Sequence, residues 1–141
     1  VAVPIRDVTG RIVASVSVSS TVDYMDPERM QALIPEVKAV AHCHCRMCQK
    51  AHGAAFGSYG SVPLEDFEIT RGREFVRGHA SSPGVLRSFC VVCGSPLAWH
   101  RTEGEWRHWI PIALGTLDTP FTPHRQRQVH AASRPRWATG G

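Results

Sequence analysis

The sequence has no apolar run approaching the ~20 residues that a membrane-spanning helix needs. Its N-terminal residues show no basic region followed by an apolar stretch, so a secretory signal is not expected. Lysine and arginine form no dense basic stripe with interleaved aromatic residues, and the net charge is only +4. We therefore expect neither a membrane nor a nucleic acid as partner.

Several catalytic arrangements are also missing. No Ser-His-Asp set, no pair of carboxylates and no phosphate-binding glycine loop can be identified in the sequence. What is present is the composition of an ordinary globular protein, with 43% hydrophobic and 20% charged residues. A length of 141 residues predicts a single domain, residues 1–141, with a buried core of its own.

Cysteine is confined to two short segments. The first contains Cys43, Cys45 and Cys48 in the run CHCRMC, and the second is the CxxC of Cys90 and Cys93. Thiolates at these spacings can point at one centre from a tight turn, as tetrahedral Zn²⁺ requires. A disulfide framework would instead scatter an even number of cysteines along a short secreted chain. The pattern predicts zinc bound by cysteines in a reducing compartment, the cytoplasm.

Strand patterns dominate the rest of the chain. Alternating valine and serine predict a half-buried strand over residues 12–19. Further strands are expected over residues 37–41, 56–62, 67–69, 75–76, 85–89, 97–101 and 106–114, with a helical turn over residues 49–52. Asp26-Pro27-Glu28 predicts the start of a short helix that Pro35 ends. The fold class is therefore mainly β, a small sandwich or open barrel, and the tryptophans are expected in the core.

Four segments resemble one known family. They are HCHCRMCQKAHGAAFGSYGSVP, SSPGVLRSFCVVCGSPLAWH, IPIALGTLD and VHAASRPRW. Together they resemble the glutathione-dependent formaldehyde-activating enzymes and centromere protein V, over residues 38–137. The resemblance implies a β-tent fold of packed antiparallel sheets with zinc-binding cysteine segments. It also implies a zinc-dependent carbon–sulfur lyase that acts on S-substituted glutathione or a similar small thiol adduct.

The resemblance also assigns roles to the cysteines. It implies that the catalytic zinc is held by Cys43, Cys45 and Cys48, and that Cys90 and Cys93 hold half of a structural zinc. The other half belongs to an N-terminal GxCxCGxV motif. At the two cysteine positions of that motif this chain has Arg11 and Val13, neither of which can replace a thiolate.

Two arrangements of the cysteines remain open. In one, the first segment holds zinc through three thiolates, leaves one coordination position open, and Cys90 and Cys93 are free thiols. In the other, a closed four-thiolate site is formed by Cys45, Cys48, Cys90 and Cys93. The open site predicts an enzyme, whereas the closed site predicts a non-catalytic, zinc-stabilised binding module.

Histidines and basic residues surround the first cysteine segment in the sequence. His44 is the candidate proton relay, although His42 and His44 are each also explained as ligands or as hydrogen-bonded rim residues. His52 is expected near the site. Counter-charges for the carboxylates of a glutathione-like substrate are available from Arg46, Lys50, Arg87 and Arg101.

Overall fold

The fold is described from a computed structural model, which defines residues 2–6, 12–17, 39–69, 72–117, 123 and 125–138. The strands within these ranges are β1 (Ala2–Arg6), β2 (Ile12–Ser17), β3 (Val40–Cys43), β4 (Gly57–Pro63), β5 (Val76–Ser82), β6 (Val85–Cys90), β7 (Pro96–Arg101), β8 (Trp109–Ala113) and β9 (Gln126–Val129). The α-helix is α1 (Arg46–His52). Short 3-10 helices cover Leu64–Asp66, Arg73–Phe75, Glu105–His108, Leu114–Thr116, Ala131–Ser133 and Arg136–Ala138. No helix among the described residues has the length and apolarity to cross a membrane.

Seven of the strands form one mixed sheet in the order β5-β6-β7-β8-β4-β3-β9. Neighbouring strands run antiparallel except β3 and β9, which are parallel and place Ala41 opposite Arg127. Strands β1 and β2 pair with each other in a separate two-stranded antiparallel sheet. β9 therefore forms the edge of the sheet beside β3, although it comes far later in the chain.

The core follows the central strands of the large sheet. Its buried side chains include Val40 on β3, Val62 on β4, Leu97 on β7, and Ile110 and Ile112 on β8. Branched and aromatic side chains fit the half-buried surface of a pleated strand, which explains why these segments pair as strands. This confirms the mainly β class that the sequence predicts.

The strand predicted over residues 67–69 is wrong, since no strand lies between β4 and β5 among the described residues. Two other predicted strand segments are wrong at their starts. Residues 75 and 106–108 belong to 3-10 helices, so β5 begins at Val76 and β8 at Trp109. The reason is local hydrogen bonding: the N–H of Phe75 bonds to the carbonyl of Gly72, and that of Arg107 to the carbonyl of Gly104. These i to i+3 bonds use donors that strand pairing would need. The helix predicted at Asp26 lies outside the described residues.

Three of the four tryptophans are more exposed than the prediction of a core position allows. Trp106, Trp109 and Trp137 are 56%, 41% and 71% exposed, and Trp99 is the one that packs against the buried core. Trp106 and Trp137 lie in short 3-10 turns, and Trp109 is the first residue of its strand. Residues at element ends have fewer neighbours to cover them, so a large apolar side chain there stays partly in water.

Candidate metal centre

The structure brings three predicted ligands to one point. Cys43 ends β3, Cys45 precedes α1, and Cys48 lies in the first turn of that helix. Their Sγ atoms all lie within 4.8 Å of one another. Around a tetrahedral zinc with Zn–S bonds of about 2.3 Å, sulfur atoms are about 3.8 Å apart, so small side-chain movements close the site. The thiol donor set and its spacing fit a soft metal ion.

The start of α1 explains how a short sequence gathers these sulfurs. Cys45 is the N-cap residue with an extended backbone, and its Sγ accepts a hydrogen bond from the N–H of Cys48 at 3.4 Å. Residues three apart at a helix start lie on the same side of the first turn, so this cap draws the two sulfurs together. Gly53 ends the helix as a left-handed C-cap. The three-residue spacing of Cys45 and Cys48 in the sequence therefore determines the relative position of their sulfur atoms.

Gln49 attaches this cysteine segment to the far end of the chain. Its buried Nε2 donates to the carbonyl of His44 at 2.6 Å and to the carbonyl of Ser133 at 2.8 Å. Its Oε1 accepts from Arg46 at 2.7 Å. The N–H of His44 also bonds to the carbonyl of Val129 at 2.9 Å. The sequence analysis did not identify Gln49. The signal that could have indicated it was its position directly after the ligand Cys48, as a polar residue on the buried side of a short helix.

A polar network connects Cys48 to the sheet. The Tyr59 hydroxyl lies 3.8 Å from Cys48 Sγ and 2.6 Å from His52 Nε2. Arg87 donates to the Tyr59 oxygen at 3.3 Å and to Cys48 Sγ at 3.5 Å, and its Nε donates to Ser81 at 3.2 Å. Two side chains, Tyr59 and Arg87, thus contact the Cys48 sulfur, and His52 and Ser81 bond to those two in turn. Sequence reasoning placed His52 near the site correctly but overlooked Tyr59.

Gly57 is required for this arrangement. A Cβ atom at residue 57 would lie 2.8 Å from the ring of His52 and 2.8 Å from the ring of Tyr59. Those separations are too short for carbon atoms, so any side chain would displace both rings. The small residues around Tyr59 in the sequence therefore leave space for the network.

A cavity of about 220 Å³ adjoins the network. It is lined by Ala51, Tyr59, His79, Arg87, Ser88, Phe89, Gly94, Pro96 and Ala98. Of the four basic residues predicted as counter-charges, Arg87 lines this cavity, whereas Arg46, Lys50 and Arg101 do not. Arg87 and Tyr59 touch both the cavity and Cys48, so a molecule in the cavity lies next to the cysteine cluster.

The surroundings change the acidity of the site. Burial is the main reason that the pKa of Cys43 rises to about 12. Burial also acts to raise the pKa of Cys45, but hydrogen bonds from Cys48, Cys43 and nearby backbone N–H groups outweigh it and lower that pKa. Burial raises the pKa of Tyr59, while burial and the charge of Arg87 lower the pKa of His52. The metal-free site therefore keeps a proton on Cys43, and Tyr59 stays a phenol beside a neutral His52.

His44 is placed differently from the cysteines. It is buried, with Nε2 bonded to Gln128 Oε1 at 2.5 Å, and its ring nitrogens are outside the cluster of ligand atoms. Its Nδ1 has no hydrogen-bond partner among the described residues. His42 bonds to Ser58 at 2.9 Å and to Gln126 at 2.8 Å. Proton relay by His44 stays a prediction.

The second cysteine pair is separate from the first segment. Cys90 is buried at the end of β6 and Cys93 is exposed. Among the described residues, the cluster of possible metal ligands contains neither of them. Hydrogen bonds with Ser95 lower the pKa of Cys93. The geometry therefore supports the open three-thiol arrangement over one closed four-thiol site, and metal binding by Cys90 and Cys93 stays a prediction.

The comparison with protein-family models agrees with the motif analysis. The family model described as glutathione-dependent formaldehyde-activating enzyme matches residues 29–133, well over half of the chain. Among solved structures, a Rhodobacter sphaeroides protein matches with a TM-score of 0.49 and 17% sequence identity, over 62% of this chain and 80% of that one. No curated protein matches the chain. The family match begins after Arg11 and Val13, so it does not include the segment aligned with the N-terminal cysteine motif.

Proposed function

The chain belongs to the glutathione-dependent formaldehyde-activating enzyme family, and on that premise we propose that it is a zinc-dependent carbon–sulfur lyase. Its substrate would be S-substituted glutathione or a similar adduct of a small thiol. The observation that carries the proposal is the cluster of three sulfurs within 4.8 Å, next to a cavity lined by Arg87 and Tyr59. Zn²⁺ held by Cys43, Cys45 and Cys48 would supply a soft Lewis acid with a position open to sulfur.

The cavity suits the reacting end of such a substrate. At about 220 Å³ it is smaller than the ~300–1,000 Å³ of typical ligand pockets. It would therefore enclose the thiol-bearing part of a peptide thiol and leave the remainder on the surface. Arg87 is the cationic group that supports binding of a carboxylate, because its half-buried guanidinium faces less water than an exposed one.

Cleavage of a hydroxymethyl–sulfur adduct needs one proton acceptor. The hydroxyl proton leaves, the C–O bond becomes a carbonyl, and the electron pair of the carbon–sulfur bond moves to sulfur. His52 is suited to accept the proton through Tyr59, since the two are 2.6 Å apart and the pKa of His52 is lowered by burial and by Arg87. The buried Nδ1 of His44 is the alternative acceptor.

The proposal also includes a cellular location and a partner. The three clustered cysteines are free thiols, and they can serve as metal ligands only where thiols are kept reduced. We therefore place the protein in the cytoplasm. Its partner would be a small thiol such as glutathione rather than a nucleic acid.

Cobalt substitution tests whether sulfur enters the site. The ligand-field bands of Co²⁺ bound to the cysteine cluster should shift when glutathione is added, and S-methylglutathione, whose sulfur cannot become a thiolate, should leave them unchanged. Arg87→Gln should weaken the response to glutathione, whereas Arg107→Gln, at an exposed arginine bonded to the Gly104 carbonyl, should not. An unchanged spectrum with glutathione would favour the binding-module function.

Activity needs a separate measurement because formaldehyde and glutathione also combine without an enzyme. Exchange of free and adduct formaldehyde can be followed by NMR, with the spontaneous rate subtracted. Wild-type protein loaded with zinc should raise the exchange rate, and Cys48→Ser should return it to the spontaneous rate. Equal rates with and without the wild-type protein would refute lyase activity.

A further inference from the structure

Cys90 and Cys93 have no part in the proposed lyase, yet backbone hydrogen bonds hold them in one turn. Cys90 is only 2% exposed, while Cys93 is exposed. The carbonyl of Cys90 accepts from the N–H of Gly94 at 2.8 Å, and its N–H donates to the carbonyl of Ser95 at 3.0 Å. Gly94 has φ of 75°, which favours glycine, and it lets the chain fold back so that the two cysteines share one tight turn.

Within the part of the chain that the structure describes, this pair lacks the further ligands that a metal site needs. The chain has five cysteines, and the other three belong to the first segment. Among the described residues, the only cluster of three or more metal-ligating side chains is the one at Cys43, Cys45 and Cys48. Two thiols in one turn without a metal are free to react with each other and with other sulfur compounds.

We propose that Cys90 and Cys93 form a thiol–disulfide exchange site for a small-molecule disulfide such as oxidised glutathione. The exposed Cys93 sulfur attacks the disulfide, whose S–S bond breaks and releases one glutathione. The Cys90 sulfur then attacks Cys93 in the mixed disulfide and releases the second glutathione. The protein loses two electrons and two protons, and one glutathione disulfide becomes two glutathione thiols.

The difference in exposure sets the order of these steps. A molecule from solution reaches Cys93 but not Cys90, so only Cys93 can make the first bond. Cys93 Sγ also lies 3.2 Å from Ser95 Oγ, which fixes the side chain at the mouth of the turn. A buried second thiol in the same turn then resolves the mixed disulfide without a second encounter.

The turn borders the cavity described above. Gly94 and Pro96, on either side of Ser95, line the same space as Arg87 and Tyr59. A glutathione-type molecule held there lies close to the exchange pair. The choice of oxidised glutathione as the probe rests on the proposed function. The exchange itself depends on Cys90 and Cys93 and not on the metal cluster, so different experiments would refute the two proposals.

Peptide mass spectrometry tests the exchange directly in the zinc-loaded full chain. Trypsin separates the cysteines into three peptides, residues 39–46, 47–50 and 88–101, and the last contains both Cys90 and Cys93. Incubation with oxidised glutathione should make peptide 88–101 lighter by two hydrogens, and reduced glutathione in excess should reverse the change. An unchanged peptide 88–101 would overturn the proposal, as would a disulfide that links it to either other peptide.

Two variants assign the order of attack. In Cys90→Ala the reaction should stop at one glutathionyl group on Cys93, and Cys90→Ser repeats the test with a polar replacement. In Cys93→Ser peptide 88–101 should remain unmodified, because Cys90 is buried; glutathionylation of Cys90 at the wild-type rate would refute the assigned order. Loss of a tightly bound zinc equivalent in Cys90→Ala would identify the pair as a metal site and overturn the inference.

Discussion

Replacing Gln49 with leucine should destabilise the protein by about 3 kcal/mol. The substitution keeps the shape of the side chain but removes the amide that bridges the carbonyls of His44 and Ser133. The bond to His44 is buried, and a buried carbonyl left unpaired costs about 1–3 kcal/mol. The bonds to Ser133 and Arg46 are partly solvated, so water replaces them and each loss costs about 0.5–1 kcal/mol.

Urea unfolding of zinc-loaded and zinc-free protein provides the measurement. A loss of about 3 kcal/mol in a domain of this size corresponds to a fall of about 10 °C in Tm. Zinc affinity should fall as well, because Gln49 follows Cys48 directly and holds the helix that carries it. Gln49→Glu should be at least as destabilising at neutral pH, since a carboxylate cannot donate to either carbonyl.

Lys50→Ala is the matched control. Lys50 is the exposed neighbour of Gln49 on the same helix, and a surface change of this kind shifts stability by about 0.5 kcal/mol or less. A loss below about 1 kcal/mol for Gln49→Leu would show that the two carbonyls bond to water when the amide is removed. The reasoning that Gln49 anchors the cysteine segment would then be wrong.

Three other predictions concern the metal and its surroundings. Elemental analysis of the purified protein should find about one zinc per chain. Cys43→Ser should lose most of this zinc, and Cys90→Ser should keep it. Loss of zinc with Cys90→Ser alone would support the closed four-thiol site. In competition titrations near neutrality, zinc affinity should increase by at least about tenfold for each unit that the pH rises. The reason is that Cys43, whose pKa burial raises to about 12, must lose its proton when the metal binds. An affinity that does not change with pH would contradict this. Gly57→Ala should displace the rings of His52 and Tyr59 and lower the formaldehyde exchange rate while zinc content is kept, and unchanged exchange would remove those rings from the proposed proton path.

The sequence predicted those parts of the site that depend on local spacing. The run CHCRMC places one sulfur at the end of β3 and two at the start of α1, and the cluster that this spacing predicts is present. Tyr59 and Gln49 were not identifiable, because their roles depend on contacts with Arg87 and Ser133, which are 28 and 84 residues away along the chain. Arg87 was one of four basic candidates, and only pairing of the strands showed which of them lines the cavity.

The fold shows the same division between local and distant information. Most predicted strands exist because alternation and turn residues act over a few positions. The parallel pairing of β3 with β9 has no local signal, since each strand is only four residues long and the pattern of one does not identify the other. Exposure of Trp106 and Trp137 was missed for a related reason: hydrophobicity indicates what a residue favours, not how many neighbours its position provides.

The pairing of β3 with β9 has a consequence for synthesis of the protein. The Gln49 amide and the Ser133 carbonyl are 84 residues apart, so the cysteines leave the ribosome long before their support is made. At ~5–20 residues per second the delay is about 4–17 seconds. During that time three neighbouring thiols are accessible to metal ions and oxidants without the strand that later fixes their geometry. While the rest of the chain is being synthesised, metal binding by these thiols therefore competes with their oxidation.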